Sequence, residues 1–226
     1  MGAGNVKKRP IDEKTRGRRS FIYRMVRALA QISIRPASTV ATLKQDPSFF
    51  GYGIGAWLLM GLMYTVTVLI GYLNGFGAVV KPWIPIPAED YYFWQTFFVI
   101  PVFFVVFVVA AGVMQLLARL MGGTGMFEDT FAVVALGSIL PTFLFMWLPE
   151  TLLMVFAPGI RAGQLGGFAF MPPWADAVRQ LIVPVWTIAV YVLALARLQS
   201  LSIARTVIVV ILGMVPAVMV TLVFVR

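Results

Sequence analysis

The sequence has neither cysteine nor histidine among its 226 residues. Disulfides and thiol chemistry are therefore excluded, and the ligands of haem and of the usual zinc sites are missing. Histidine is also the side chain most often used for proton transfer near neutral pH. No GxSxG, P-loop or HExxH motif is present. We therefore expect no catalytic residues, no metal site and no cofactor, and an enzyme is the least favoured class.

Charged residues are also scarce. They make up 12% of the chain, against about 25% in soluble domains. Asp46 is the only charge between Lys44 and Lys81, and residues 91–118 carry none. About 20 apolar residues in a helix cross the hydrocarbon core of a bilayer. The pattern therefore predicts an all-α fold, a polytopic helical bundle in a membrane.

The apolar runs divide the membrane domain, residues 47–226, into separate spans. We predict five spans, at about 50–73, 93–117, 130–149, 180–197 and 205–225. A sixth span, or a re-entrant segment within 130–160, is the alternative.

The basic residues are concentrated near the N-terminus. Residues 1–44 hold eleven Lys or Arg and two acids, which equals the whole net charge of +9. We expect residues 1–19 to be a disordered basic arm. With five spans, the side that holds the arm has fourteen Lys or Arg and the other side has four. The positive-inside tendency then places the N-terminus in the cytoplasm and the C-terminus outside.

Residues 20–46 follow as an amphipathic helical segment that we expect at the membrane surface. One face carries apolar residues at helical spacing: Ile22, Met25, Leu29 and Ile32. The opposite face carries the basic residues Arg24, Arg27 and Arg35. This arrangement is typical of helices that bind an anionic leaflet. The alternative is that the apolar face packs on the protein's own spans. Nucleic acid is not an expected partner, because no basic groove with interleaved aromatic residues is present.

Few ionisable residues fall at membrane depth, where such residues usually mark proton or ion routes. Gln115 and Arg119 lie one helical turn apart near the predicted cytoplasmic face, and Glu150 lies on the far side. These three are candidate members of polar clusters, although anchoring at the interface also explains Arg119 and Glu150.

Two stretches carry a resemblance to a known family. One is "LLARLMGGTGMFEDTFAVVALGSILP" at 116–141, in which an arginine ends a span and a Gly-Gly turn precedes a helix with small residues and a proline. The other is "VPVWTIAVYVLALARLQSLSIARTVIVV" at 183–210. Together with the basic helix and Pro36 before the first span, they resemble the Yip domain family over residues 20–226. That family comprises five-span membrane proteins related to Ypt/Rab-interacting proteins.

The resemblance implies a non-enzymatic role in membrane organisation or trafficking, or as a scaffold for a membrane or peripheral protein partner. Eukaryotic members carry a longer arm with a DLYGP-type motif and are linked to GTPase binding. This chain has no such motif, which argues against GTPase binding. Its short arm is similar to that of prokaryotic members, so we expect the protein in a prokaryotic cell membrane. The alternative, suggested by the prolines within the spans, is a small-solute transporter or a lipid-handling protein.

Overall fold

A computed structural model describes residues 11–78, 83–156 and 172–225, and every regular element in these ranges is a helix. The helices, in chain order, are α1 Ile11–Ile34, α2 Pro36–Leu43, α3 Phe49–Leu73, α4 Tyr91–Leu120, α5 Phe127–Thr142, α6 Leu148–Phe156, α7 Pro173–Gln199 and α8 Ile203–Phe224. A π-helical turn, Phe143–Trp147, joins α5 to α6 without a break.

Within the described ranges, five helices are long and apolar enough to cross a membrane, as the sequence predicted. They are Phe49–Leu73, Tyr91–Leu120, Phe127–Phe156, Trp174–Gln199 and Ile203–Phe224. The third of them runs from α5 through the π-helical turn into α6 as one span. The described part of 130–160 is therefore not divided into two spans.

Helix α1 is longer than the sequence predicted. It begins at Ile11, so residues 11–19 are helical, whereas we expected a disordered arm up to residue 19. Five of residues 12–19 are Glu, Lys or Arg. These residue types have straight side chains and high helix propensity. Extending an existing helix needs no new nucleation, which lowers the cost of adding these residues. The remainder of the predicted arm, residues 1–10, lies outside the described residues.

Helix α5 lies at the centre of the bundle, in contact with α1, α3, α4 and α7. Glycines bring the neighbouring helices close to it. A Cβ atom added to Gly53 of α3 would lie 2.6 Å from the Cα of Ala132, and one added to Gly137 would lie 2.9 Å from a methyl group of Val190. Small residues at such positions let the helices approach closely. Close packing drives helix association in a membrane, because the surrounding lipid is as apolar as the side chains and the hydrophobic effect contributes little.

The two ends of the bundle are formed by different elements. The end that we call the N-terminal end is formed by α1, α2 and the turns α4–α5 and α7–α8. The amide of Thr124 donates to the carbonyl of Gln199 there and joins the two turns. The end that we call the opposite end contains α6 and the α3–α4 connection, where Asn74 donates to the carbonyl of Met154.

Candidate functional site

Helix α1 packs on the bundle with one of its faces. Leu29 and Ile32 are buried in the main core, and Met25 packs against it. Space for this contact comes from α3, because Gly55 has no side chain where Met25 approaches. Three of the four apolar residues that we expected to face lipid therefore face the protein. Ile22 is the fourth, and it stays exposed.

A second face of α1 is apolar and exposed. Besides Ile22, it includes Tyr23, Val26 and Ile34, of which Val26 is 52% and Ile34 69% exposed. At 100° per residue, these side chains occupy an arc next to the buried face. An apolar stripe left outside the protein core on a helix beside membrane spans is suited to contact with acyl chains.

The three predicted lipid-binding arginines are all exposed: Arg24 and Arg27 lie on a third face of α1, and Arg35 directly follows its last residue. Arg24 lies 3.6 Å from the carboxylate of Asp46 and 6.0 Å from the ring centre of Tyr52. Arg27 and Arg35 follow along the same side of the helix, one and three turns further on. The outward surface of α1 therefore presents an apolar stripe beside a basic one.

The C-terminal end of α1 reaches into the bundle rather than lying flat across its end. The indole Nε1 of Trp186 donates to the carbonyl of Ser33 at 3.0 Å. Trp186 lies thirteen residues before Gln199, the last residue of α7. At 1.5 Å per residue, that is about 20 Å along the helix. Helix α2 then returns alongside α7, so α1 and α2 form a wedge against the fourth span.

Asp46 connects the wedge to the first span. Its carboxylate accepts hydrogen bonds from the backbone amide of Ser48 at 2.8 Å and from the hydroxyl of Tyr52 at 2.9 Å. The Ser48 bond is the main cause that lowers the pKa of Asp46, and the Tyr52 bond and Arg24 act in the same direction. Asp46 therefore stays ionised near neutral pH, and its charge holds Arg24.

A buried polar cluster lies where the two turns of the N-terminal end meet. The amide oxygen of Gln115 accepts from the hydroxyl of Thr130 and from Nε2 of Gln199, both at 2.7 Å. Gln115 also donates to the carbonyl of Gly125, whose own amide donates to Gln199. Arg119, which we predicted beside Gln115, is exposed instead. We did not predict Thr130 and Gln199 as members of this cluster, although both are polar residues at the ends of apolar runs.

The glycine-rich turn 122–125 has a structural role in this cluster. Gly122 has φ +90°, in the left-handed region that favours glycine. A Cβ atom on Gly125 would lie 2.8 Å from the side-chain carbonyl carbon of Gln199. The glycines therefore let the turn close around the amide group of Gln199.

Glu150 belongs to a different cluster, at the opposite end. It lies 3.4 Å from the guanidinium of Arg179, which also pairs with Asp176 at 2.8 Å. Arg179 donates in addition to the backbone carbonyl of Phe145. Asp176 and Arg179 are nearly buried, with side chains 3% and 10% exposed. The structure therefore does not bring Glu150 together with Gln115 and Arg119.

Other polar side chains of the spans also bond to backbone carbonyls of neighbouring helices. The pairs are Trp57 with Ile100, Trp147 with Met63, Tyr191 with Val134 and Tyr91 with Phe224. Each of these bonds ties two helices together. Among the described residues, no group of acids is arranged to hold a metal ion.

The comparisons with known proteins agree with this architecture. The family model of the Yip1 domain matches residues 30–225, which includes all five spans and the end of α1. No protein with a curated description and no solved structure matches the chain. Five apolar helices, the wedge before the first span and the match over most of the chain lead to one conclusion: the chain belongs to the Yip1 domain family.

Proposed function

We propose that this protein is a non-enzymatic membrane organiser that binds the anionic cytoplasmic leaflet through α1 and serves as a scaffold for a membrane or peripheral protein partner. The observation that carries the proposal is the outward surface of α1, where exposed apolar residues lie directly beside exposed arginines. The N-terminus is then cytoplasmic and the C-terminus outside, as the distribution of Lys and Arg favours.

The two stripes match the two layers of a membrane surface. The side chains of Ile22, Val26 and Ile34 can enter the acyl layer, and Arg24 and Arg27 can reach the phosphates above it. Arg35 lies deeper, near Trp186, and its long side chain can extend along the helix towards the phosphates. Near an anionic surface each basic residue contributes on the order of 1 kcal/mol. Arg27 then contributes about 1 kcal/mol. Arg35 contributes less because it lies deeper, and Arg24 contributes less because Asp46 already neutralises part of its charge.

The wedge supports an organising role rather than simple attachment. The anchoring spans alone would hold the protein in the membrane. Helices α1 and α2 add bulk on one side of the bundle, where α1 contacts α5 and α2 contacts α7. An amphipathic helix placed in one leaflet displaces lipid there and responds to lipid composition and curvature.

The polar side chains of the spans support a scaffold over an enzyme. Trp57, Trp147 and Tyr191 donate to backbone carbonyls, and Gln115 and Gln199 satisfy each other and the turn at Gly125. Side chains held in such bonds fix the helices against each other, as a scaffold requires.

One observation favours the alternative function, a small-solute transporter or lipid-handling protein. The third span changes to π-helix at Phe143–Trp147, beside the cluster of Glu150, Asp176 and Arg179. Interrupted helices and ionisable groups at membrane depth are features of transport sites. Uptake or exchange of a solute or a labelled lipid by proteoliposomes, absent from protein-free vesicles, would favour this alternative.

The test of the lipid proposal uses the full-length protein in vesicles. Because the chain has no cysteine, a single cysteine at Val26 can carry a fluorescent donor. Energy transfer to labelled phosphatidylserine should exceed transfer to labelled phosphatidylcholine, and the difference should shrink as salt increases. Replacing Arg27 and Arg35 by glutamine should remove most of the preference.

The matched control replaces Arg119 and Arg197 by glutamine. These residues are also exposed and lie towards the N-terminal end, so the same charge is removed away from α1. We expect this pair to change the preference much less. Equal transfer to the two lipids, or equal losses in the two double variants, would contradict a lipid site on α1.

A further inference from the structure

Pro149 interrupts the backbone hydrogen bonding of the third span. In an α-helix the carbonyl of Phe145 accepts from the amide of residue 149, but proline has no N–H group. The preceding bonds are shifted as well, because the amide of Leu148 donates to the carbonyl of Phe143, five residues back. A carbonyl left without its usual donor within a membrane span is costly.

The guanidinium of Arg179 reaches this carbonyl from the fourth span. Its Nη1 donates to the carbonyl oxygen of Phe145, while its Nε and Nη2 are held at 2.8 Å by Asp176, three residues earlier on α7. Asp176 also accepts from Gln180 at 2.7 Å, which fixes its orientation. The arginine is therefore aimed at the interruption by groups on its own helix.

We propose that Arg179 replaces the backbone donor that Pro149 lacks and thereby locks a hinge in the third span. Helix α6, beyond the hinge, is held in line with α5 by this bond from α7. Two further contacts hold α6 against α3: the hydroxyls of Thr67 and Thr151 lie 2.7 Å apart, and Asn74 donates to Met154 at 3.0 Å. Loss of the Arg179 bond frees α6 to move about the π-helical turn.

The interruption has the local features of a hinge. π-Helical turns weaken the regular bonding pattern and often occur at functional positions in helices. The side chains of residues 143–147 are only partly buried, whereas those of α5 just before them are almost all buried. The part of the span near the opposite end is therefore held by fewer contacts than its central part, so it depends more on the bond from Arg179.

The test compares the effect of removing Arg179 with and without Pro149. Pro149→Ala restores an amide that can donate to Phe145, so Arg179 should become dispensable in that background. The probe variant is Asp176→Asn with Arg179→Gln, which removes the guanidinium without leaving the nearly buried carboxylate unpaired. Hydrogen exchange of residues 143–156 is measured in the full chain, with residues 105–118 of α4 as the internal reference.

With Pro149 present, the probe variant should raise the exchange rates of residues 143–156 by roughly ten- to a hundredfold relative to the reference, the effect of losing a bond from a charged donor. In the Pro149→Ala background, the same substitutions should raise them by no more than about threefold. An equal increase in both backgrounds would overturn the proposal, because Arg179 would then act through contacts other than the Phe145 carbonyl.

A second measurement needs no purified variant. Cysteines at Thr67 and Thr151 report whether α6 stays on α3, since the chain has no cysteine of its own. Crosslinking in membranes should be slower in the probe variant with Pro149 and should recover when Pro149→Ala is added. Four chains are compared: the parent chain, the probe variant, Pro149→Ala, and the probe variant with Pro149→Ala. Equal crosslinking rates in all four would show that α6 does not depend on the Arg179 bond and would refute the hinge. Neither measurement involves α1 or lipid composition.

Discussion

Replacing Gln199 by leucine tests whether the buried polar cluster holds the N-terminal end of the bundle together. Gln199 is 1% exposed and forms three side-chain hydrogen bonds, to Gln115 at 2.7 Å, to Thr130 at 3.0 Å and from the amide of Gly125 at 2.8 Å. Leucine is close to glutamine in size, so the main change is the loss of these bonds.

The expected cost follows from which groups lose their partners. The buried amide of Gly125 loses its acceptor, and an unsatisfied buried donor costs about 1–3 kcal/mol. Gln115 keeps the bonds from Thr130 and to the carbonyl of Gly125, so losing Gln199 as a partner adds only about 1 kcal/mol. We therefore expect Gln199→Leu to lower the free energy of unfolding by roughly 2–4 kcal/mol.

The measurement is thermal unfolding in detergent, followed by the fluorescence of the six tryptophans. For a chain of this length, each kcal/mol of lost stability lowers the midpoint temperature of unfolding by roughly 2–4 °C. We therefore expect Gln199→Leu to lower the midpoint by about 5–15 °C. Gln45→Leu is the control, because Gln45 is exposed in the turn after α2. A Gln199→Leu midpoint within a degree or two of the control would refute the reasoning, since the cluster would then contribute no net stability.

Three further predictions concern packing, pH and topology. Gly53→Val should cost about 1–3 kcal/mol or more, because its Cβ would lie 2.6 Å from the backbone of Ala132, whereas Gly112→Val, with nothing within 4 Å, should cost far less in the same assay. The pKa of Asp46 is lowered below its ordinary value of 3.8, so its contribution to stability is present above that pH and is lost as the pH falls through the lower, folded value. Asp46→Asn should therefore flatten the stability profile below about pH 4, and an unchanged profile would contradict this. A single cysteine at Thr124 should react with impermeant reagents only from the cytoplasm, and labelling from outside would reverse the proposed topology.

The spans were predictable because hydropathy is a local property. A helix in hydrocarbon must satisfy its own backbone and tolerate few charges, so the length and composition of each run decide the outcome. The third span was the uncertain case, because a sixth span or a re-entrant segment within 130–160 was the alternative. The helix continues through Pro141 and Pro149, since a π-helical turn and a side chain from α7 satisfy part of the altered bonding.

The candidate site was predictable only in part. The periodicity of residues 20–35 indicated a basic face and an apolar face, and the arginines are exposed as expected. Periodicity could not divide the apolar residues between protein and lipid, because Met25 and Val26 are equally suited to either. The division depends on where α3 offers space, at Gly55, and on which side of α1 the bundle lies.

By itself, the sequence determined that this is a five-span helical membrane protein with a basic amphipathic helix at its start, because both properties follow from residue types and their spacing along one helix. The tertiary structure alone decided the partners of the polar residues: Gln115 with Gln199, Arg24 with Asp46, and Arg179 with the carbonyl of Phe145. Each of these contacts joins residues at least 22 positions apart in the chain. Such pairings depend on how the helices are arranged and rotated against each other, and that arrangement results from the packing of all the spans together.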